Sequence, residues 1–279
     1  MTFKAMLVHL DDSPWSDSRL EVAVRLAQRF GSALAGVYLV PKAELTPSVA
    51  AVLPHQAVEQ RLLESGQAQN RAKLRFGERA RPLGAAEPDF RAPAGDPLDA
   101  ALAHSRCADL TIVGHAEPSD PSAFFAQRLA EHVLLGSGGP MLSLPRSAPA
   151  GNLGGHPLIA WDGGREAARA VRDALPMLIR ASRVTVVTAA REPSGYDDVE
   201  QSQGRLVDYL SKHGIDAQSK QVEGAGSELA ERLLSQAADV GADLIIMGGY
   251  GHARARELVL GGATRSMLRA TTVPVFMSH

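Results

Sequence analysis

The stretch from Met247 to Thr264 reads Met-Gly-Gly-Tyr-Gly-His-Ala-Arg-Ala-Arg-Glu-Leu-Val-Leu-Gly-Gly-Ala-Thr and sets Gly248, Gly251 and Gly261 in a G-x2-G-x9-G spacing. Residues without a Cβ let a ligand come close to backbone amides. Gly261 and Gly262 stand directly before Ala263-Thr264-Arg265-Ser266-Met267-Leu268-Arg269, whose spacing predicts a helix stopped by Thr271-Thr272 and Val273-Pro274. The unpaired N–H groups of a first helical turn lie at the positive end of the helix dipole and form an anion site. The chemistry indicated is phosphate binding; the competing reading is a surface loop with a helix-capping glycine.

Other reaction chemistries find no constellation. Asp11-Asp12-Ser13 lacks the Asp-x-Asp arrangement of a phosphoryl-transfer nucleophile and its acid, and Gly136-Ser137-Gly138-Gly139 is not a G-x-S-x-G elbow. No G-x4-G-K-[ST] loop occurs. The nine histidines are scattered, with no His-Glu-x-x-His, and one cysteine, Cys107, offers neither a zinc site nor an internal disulfide. We read Cys107 as a small buried apolar residue. No catalytic residue and no metal ligand can be named.

The elements that must present the glycine loop follow from periodicity. Ala242 to Met247 is a continuous apolar run, the pattern of a strand buried on both faces of a parallel sheet, so the loop leaves a strand's carboxyl end. From the start of the chain, Ala5 to Leu10 predicts a strand, then a helix capped by Ser16 or Asp17 and ending near Gly31, and a strand over Ala33 to Val40. A long polar helix around Val58 to Arg79, a strand over Phe90 to Pro93 and a helix opened by Asp96-Pro97 come next. Asp109 to Val113, Gln127 to Leu135 and Met141 to Leu144 complete a β-α alternation. The Pro- and Gly-rich segment 145–155 reads as a linker, after which the alternation restarts at Pro157 to Trp161. The fold class is α/β, two tandem doubly wound domains over residues 1–146 and 156–279, each with a five-stranded parallel sheet flanked by helices.

A shift of 134 residues lays Ala108-Asp109-Leu110-Thr111-Ile112-Val113-Gly114 on Ala242-Asp243-Leu244-Ile245-Ile246-Met247-Gly248, with five of seven identical. The same shift brings Leu134 onto Leu268 and Pro140 onto Pro274, a repeat of whole domains. It also sets Glu117, Gln127 and Arg128 where Gly251, Gly261 and Gly262 stand. A carboxylate there repels polyphosphate and side chains replace the open backbone, so the first half is expected to bind no polyphosphate in this way and to serve as a structural partner.

Length and charge set further bounds. The chain has 279 residues, suited to two domains at about 150 each. Lys plus Arg number 29 and Asp plus Glu 31, a net −2, which points to neither nucleic acid nor an anionic membrane surface. No apolar run reaches the ~18 residues of a transmembrane helix, and the expected location is the cytoplasm.

On its glycine spacing, its repeated topology and the aspartate after each first strand, Asp11 and Asp162, the chain resembles the universal stress protein family, as a tandem two-domain member whose second half is similar to the ATP-binding branch. In that family the loop is followed by Ser or Thr, where this chain has Gly262; the backbone N–H is kept and the hydroxyl is not. The resemblance implies a nucleotide pocket of Ala160, Asp162 and Ala189 at the adenine end, with Met247, Gly248, Gly251, His252, Gly261, Gly262 and Ala263 around ribose and phosphates. It implies ATP, with or without Mg²⁺, as ligand, a stress-regulatory role, and an intramolecular pseudo-dimer through Met141–Leu144 and Val275–Met277; homodimers of whole chains stay open. Two other classes also stay open, a nucleotide-independent protein-interaction module and a slow ATP hydrolase acting through Mg²⁺-polarised phosphates.

Overall fold

In a computed structural model, the residues described are 2–13, 15–39, 55–84, 89–115, 123–146, 151, 153–189, 199–222, 226–250 and 262–279. The first half runs β1 (Ala5–Leu10), α1 (Ser16–Phe30), β2 (Ala33–Tyr38), α2 (His55–Ala80), β3 (Asp89–Arg91), α3 (Pro97–Ser105), β4 (Leu110–Gly114), α4 (Ala123–Gly136) and β5 (Met141–Leu144). The second runs β6 (Pro157–Trp161), α5 (Arg165–Leu178), β7 (Val184–Ala189), α6 (Val199–Lys212), β8 (Ala217–Val222), α7 (Gly226–Val240), β9 (Leu244–Gly248), α8 (Gly262–Ala270) and β10 (Val275–Ser278).

The strands lie in the order β3-β2-β1-β4-β5-β10-β9-β6-β7-β8 and form one ten-stranded sheet. Within each half the pairing is parallel, as the doubly wound reading expects. Between the halves β5 and β10 run antiparallel, with Met141 opposite Met277, Leu142 opposite Phe276 and Ser143 opposite Val275. Strand alternation sends Leu244, Ile246 and Phe276 into a core under α1, α2, α5 and α6. Ile245, Met247, Val275 and Met277 go to the opposite core, under α3, α4, α7 and α8. Each core crosses the junction, so the halves share packing on both faces of the sheet.

Local chemistry accounts for some boundaries and corrects others. Asp96 caps α3 by accepting from the Leu98 and Asp99 amides, 2.8 and 3.2 Å, with Pro97 at the first helical position. Helix α1 departs from expectation: its N-cap is Trp15, with no side-chain capping bond. The Ser16 hydroxyl instead faces the strand end, accepting from the Asp11 amide at 3.3 Å and from Arg19 at 3.4 Å. Cys107 is exposed rather than buried; it follows the end of α3 in a turn whose amide bonds to His104 O. Within the linker, Leu153 is 3% exposed and belongs to the core, its carbonyl accepting from Arg29.

Candidate functional site

In a doubly wound sheet, ligands sit beyond the strands' carboxyl ends where the order turns. In the second half that point lies between β6 and β9, whose register puts Ala160 beside Met247. Ala160 also pairs with Val187 of β7, and Ala189 ends that strand opposite Val222. Asp162 is exposed just past β6, and its Oδ1 accepts from the Gly164 amide at 2.8 Å. That bond closes the turn into α5, whose N-cap is Gly164. Thus Ala160, Asp162, Ala189, Met247 and Gly248 are gathered along one edge of the sheet. Gly251, His252 and Gly261 lie outside the described residues.

Each gathered residue has a structural task as well. Met247 is 6% exposed and packs in the core. A Cβ on Gly248 would stand 2.5 Å from the Ala167 nitrogen and 2.7 Å from the Glu166 carbonyl carbon, so the missing side chain lets β9 abut the first turn of α5. Glu166 is buried there, its carboxylate held by Arg165 at 2.7 Å. Burial would raise its pKa, but its own amide, the Arg165 guanidinium and His279 together hold it below the usual value.

The loop base is tied at both ends. The Tyr250 amide donates to the Thr264 hydroxyl at 3.0 Å, joining the second residue after β9 to the first turn of α8. Thr264 is 4% exposed. Its oxygen therefore serves the loop base as an acceptor. Gly262, by contrast, is exposed at the start of α8, with Ala263 half-buried behind it. First-turn amides at these positions have no intrahelical acceptor, which suits an oxyanion. Among the described residues no group of three His, Cys, Asp or Glu side chains is placed to hold a metal ion.

Sequence reasoning missed the residues around this base. A Cβ on Gly249 would meet Leu134 Cδ2 at 2.6 Å. The Gly249 amide donates to Ser278 O at 2.9 Å, and the Gly249 carbonyl lies 3.0 Å from His279 Nδ1. Tyr250 is buried with φ 56°, the left-handed region, a conformation that costs an L-residue roughly 1–2 kcal/mol. The signal available beforehand was the repeat, whose shift of 134 puts His115 where Gly249 stands.

The first half's equivalent crevice is filled from within. Arg19, 4% exposed, donates from Nε to His9 O at 2.6 Å and sets Nη2 3.0 Å from Asp11 Oδ2. Its Nη1 lies 2.1 Å from where a Cβ on Gly114 would be, so the guanidinium occupies the gap between the β1 and β4 ends. Burial would raise the Asp11 pKa, but Arg19, His9 and Ser13 reverse this and hold the carboxyl well below the usual range. Burial lowers the His9 pKa to about 4, with Asp11 opposing and Arg19 reinforcing. His9 is thus neutral at pH 7, with Nε2 placed 3.2 Å from Leu39 O. Glu117 lies outside the described residues, Gln127 bonds Glu131 and Arg269, and Arg128 sits 5.7 Å over Phe124.

Two tandem doubly wound domains joined in one sheet, the first with its strand-end gap filled by Arg19, define a duplicated α/β protein. The sequence profile of the universal stress protein family matches residues 2–145 and 156–279, and the chain belongs to that family. Among curated proteins, Universal stress protein Slr1230 of Synechocystis is 38% identical over 92 residues, a match covering 33% of this chain and 30% of that protein. Among solved structures, the universal stress protein from Archaeoglobus fulgidus DSM 4304 aligns with a TM-score of 0.73 at 18% identity, over 98% of this chain and 95% of its own. PA1789 of Pseudomonas aeruginosa PAO1, described as functionally unknown, aligns with a TM-score of 0.59 at 14% identity, over 99% and 92%. Such identities speak for the fold alone. Among the described residues no helix is long and apolar enough to cross a membrane.

Proposed function

We propose that the second half binds one adenine nucleotide, ATP, with its phosphates over the start of α8, and that the chain acts as a cytoplasmic stress-regulatory binding protein rather than through turnover. The observation that carries this reading is the exposed Gly262 at the start of α8, held beside the β6 and β9 ends by the Tyr250–Thr264 bond. Amides at a helix start supply positive potential without a lysine or arginine. Any Mg²⁺ would come bound to the phosphates. The two halves, joined at β5 and β10, act in this reading as a pseudo-dimer within one chain.

A second reading, a nucleotide-independent interaction module, is favoured by Gly262, which brings no hydroxyl to the start of α8. Titration calorimetry with ATP separates the two. The nucleotide reading expects one site per chain, abolished or strongly weakened by Gly261→Gln, which writes the first half's residue into the loop. Absence of binding to the wild type would turn the choice to the interaction module, and undiminished binding in Gly261→Gln would show that this loop is not the phosphate site.

A further inference from the structure

We propose that helix α4 of the first half braces the loop base of the second, so that the conformation of Gly248–Tyr250 depends on the docking of the two halves. The brace stands on geometry alone; its consequence for ligand affinity rests on the nucleotide reading above.

Three contacts converge. Leu134, 1% exposed, lies against the backbone of Gly249 so closely that no side chain fits there. On its other side Gly249 is held by Ser278 and His279 at the end of β10, so the residue is clamped between the halves. Tyr250 then turns through its left-handed φ into the core that holds Leu134, Val133, Met267 and Leu268. A strained residue keeps its conformation only where its surroundings over-determine it, and here part of those surroundings belongs to the other half. Burial and the nearby Glu131 carboxylate push the Tyr250 pKa up to about 12.

The third contact holds the loop's returning end. Glu131 Oε1 faces Arg265 Nε at 3.6 Å and accepts from Gln127 Nε2 at 2.8 Å, while Gln127 Oε1 accepts from Arg269 at 3.1 Å. Helix α4 thus grips both the residue that leaves β9 and the helix into which the loop returns. The brace works in one direction. At the position equivalent to Gly249 the first half carries His115, so the bare backbone that Leu134 meets has no counterpart there.

The test uses the full chain and reads the amides of Gly249 and Tyr250 by hydrogen exchange, with Ile112 and Ile246 as core references. In Glu131→Arg and in Leu134→Ala, exchange at Gly249 and Tyr250 should quicken by about tenfold or more while the references keep their protection. The double variant Glu131→Arg/Arg265→Glu, which restores opposite charges, should recover the protection. Unchanged exchange in both single variants would overturn the brace. With ATP as probe, affinity should fall by about fivefold in Glu131→Arg and return in the double variant. Faster exchange with unchanged ATP affinity would overturn the coupling. A wild type that takes up no ATP would sink the nucleotide reading, and the exchange data would still decide the brace.

Discussion

Glu131 and Arg265 occupy equivalent positions of the two repeats, 134 residues apart, and pair with each other across the junction at 3.6 Å. Either half pairing with a copy of itself would set glutamate against glutamate or arginine against arginine. Like charges at an interface select against the wrong partner even where the correct pair adds little affinity. At 17% and 37% side-chain exposure, the pair itself is worth at most about 1 kcal/mol. Separately produced segments 1–146 and 156–279 should therefore form mixed pairs in preference to self-pairs, measured by native mass spectrometry. Equal populations of self-pairs would show that the charges do not choose.

The two strand-end glycines predict unequal costs. In Gly248→Ala the new carbon meets backbone, the Ala167 nitrogen at 2.5 Å, and α5 must move. In Gly114→Ala it meets the Arg19 guanidinium, which must shift and loosen its bonds to His9 O and Asp11 while the backbone stays in place. Urea denaturation should report a loss of about 3 kcal/mol for the first and clearly less for the second. The reverse order would mean that the α5 contact is looser than the geometry implies.

His9 makes stability depend on pH in a defined window. Its folded pKa, about 4, lies below the ordinary 6.5, so as pH falls from 6.5 to about 4 the unfolded chain takes up a proton that the folded chain refuses. The contribution is complete above pH 6.5 and lost by about pH 4, on the order of 3 kcal/mol. His9→Gln should flatten that part of the stability curve. An unchanged slope in the variant would assign the effect elsewhere.

Asp162 predicts a separation of roles. Asn keeps an oxygen to accept from the Gly164 amide, so Asp162→Asn should change stability by less than about 0.5 kcal/mol. Asp162→Ala should lose about 1 kcal/mol. A carboxylate that meets the nucleotide would also make ATP bind more weakly to Asp162→Asn. Lower stability with unchanged affinity would leave Asp162 as a turn residue only.

What the sequence made legible is what local rules decide. Leu244–Met247 announces a strand buried on both faces because nothing polar interrupts it, and Asp96-Pro97 announces a helix start because cap and proline act within one turn. The duplicated topology was readable from the shift that aligns Asp109 with Asp243. Remote neighbours decided the rest. Arg19 looks like a solvated helix residue until Gly114 and Asp11 are brought to it, and Gly248, taken for a ligand-facing glycine, also makes room for Ala167. Gly249 gave no sign of its contact with Leu134, because that contact depends on how two domains meet. The loop centre, with Gly251, His252 and Gly261, was read from spacing and family resemblance alone.

The seam between β5 and β10 is short, three register pairs between strands of four residues each. Two free domains meeting through such a seam would face a dissociation equilibrium, and dilution would part them. Here residues 145–156 tether one half to the other and hold the two edges at an effective concentration on the order of millimolar. Junction, shared cores and braced loop base therefore persist however few copies of the chain are present, and any ligand response read through them is independent of how much protein is made.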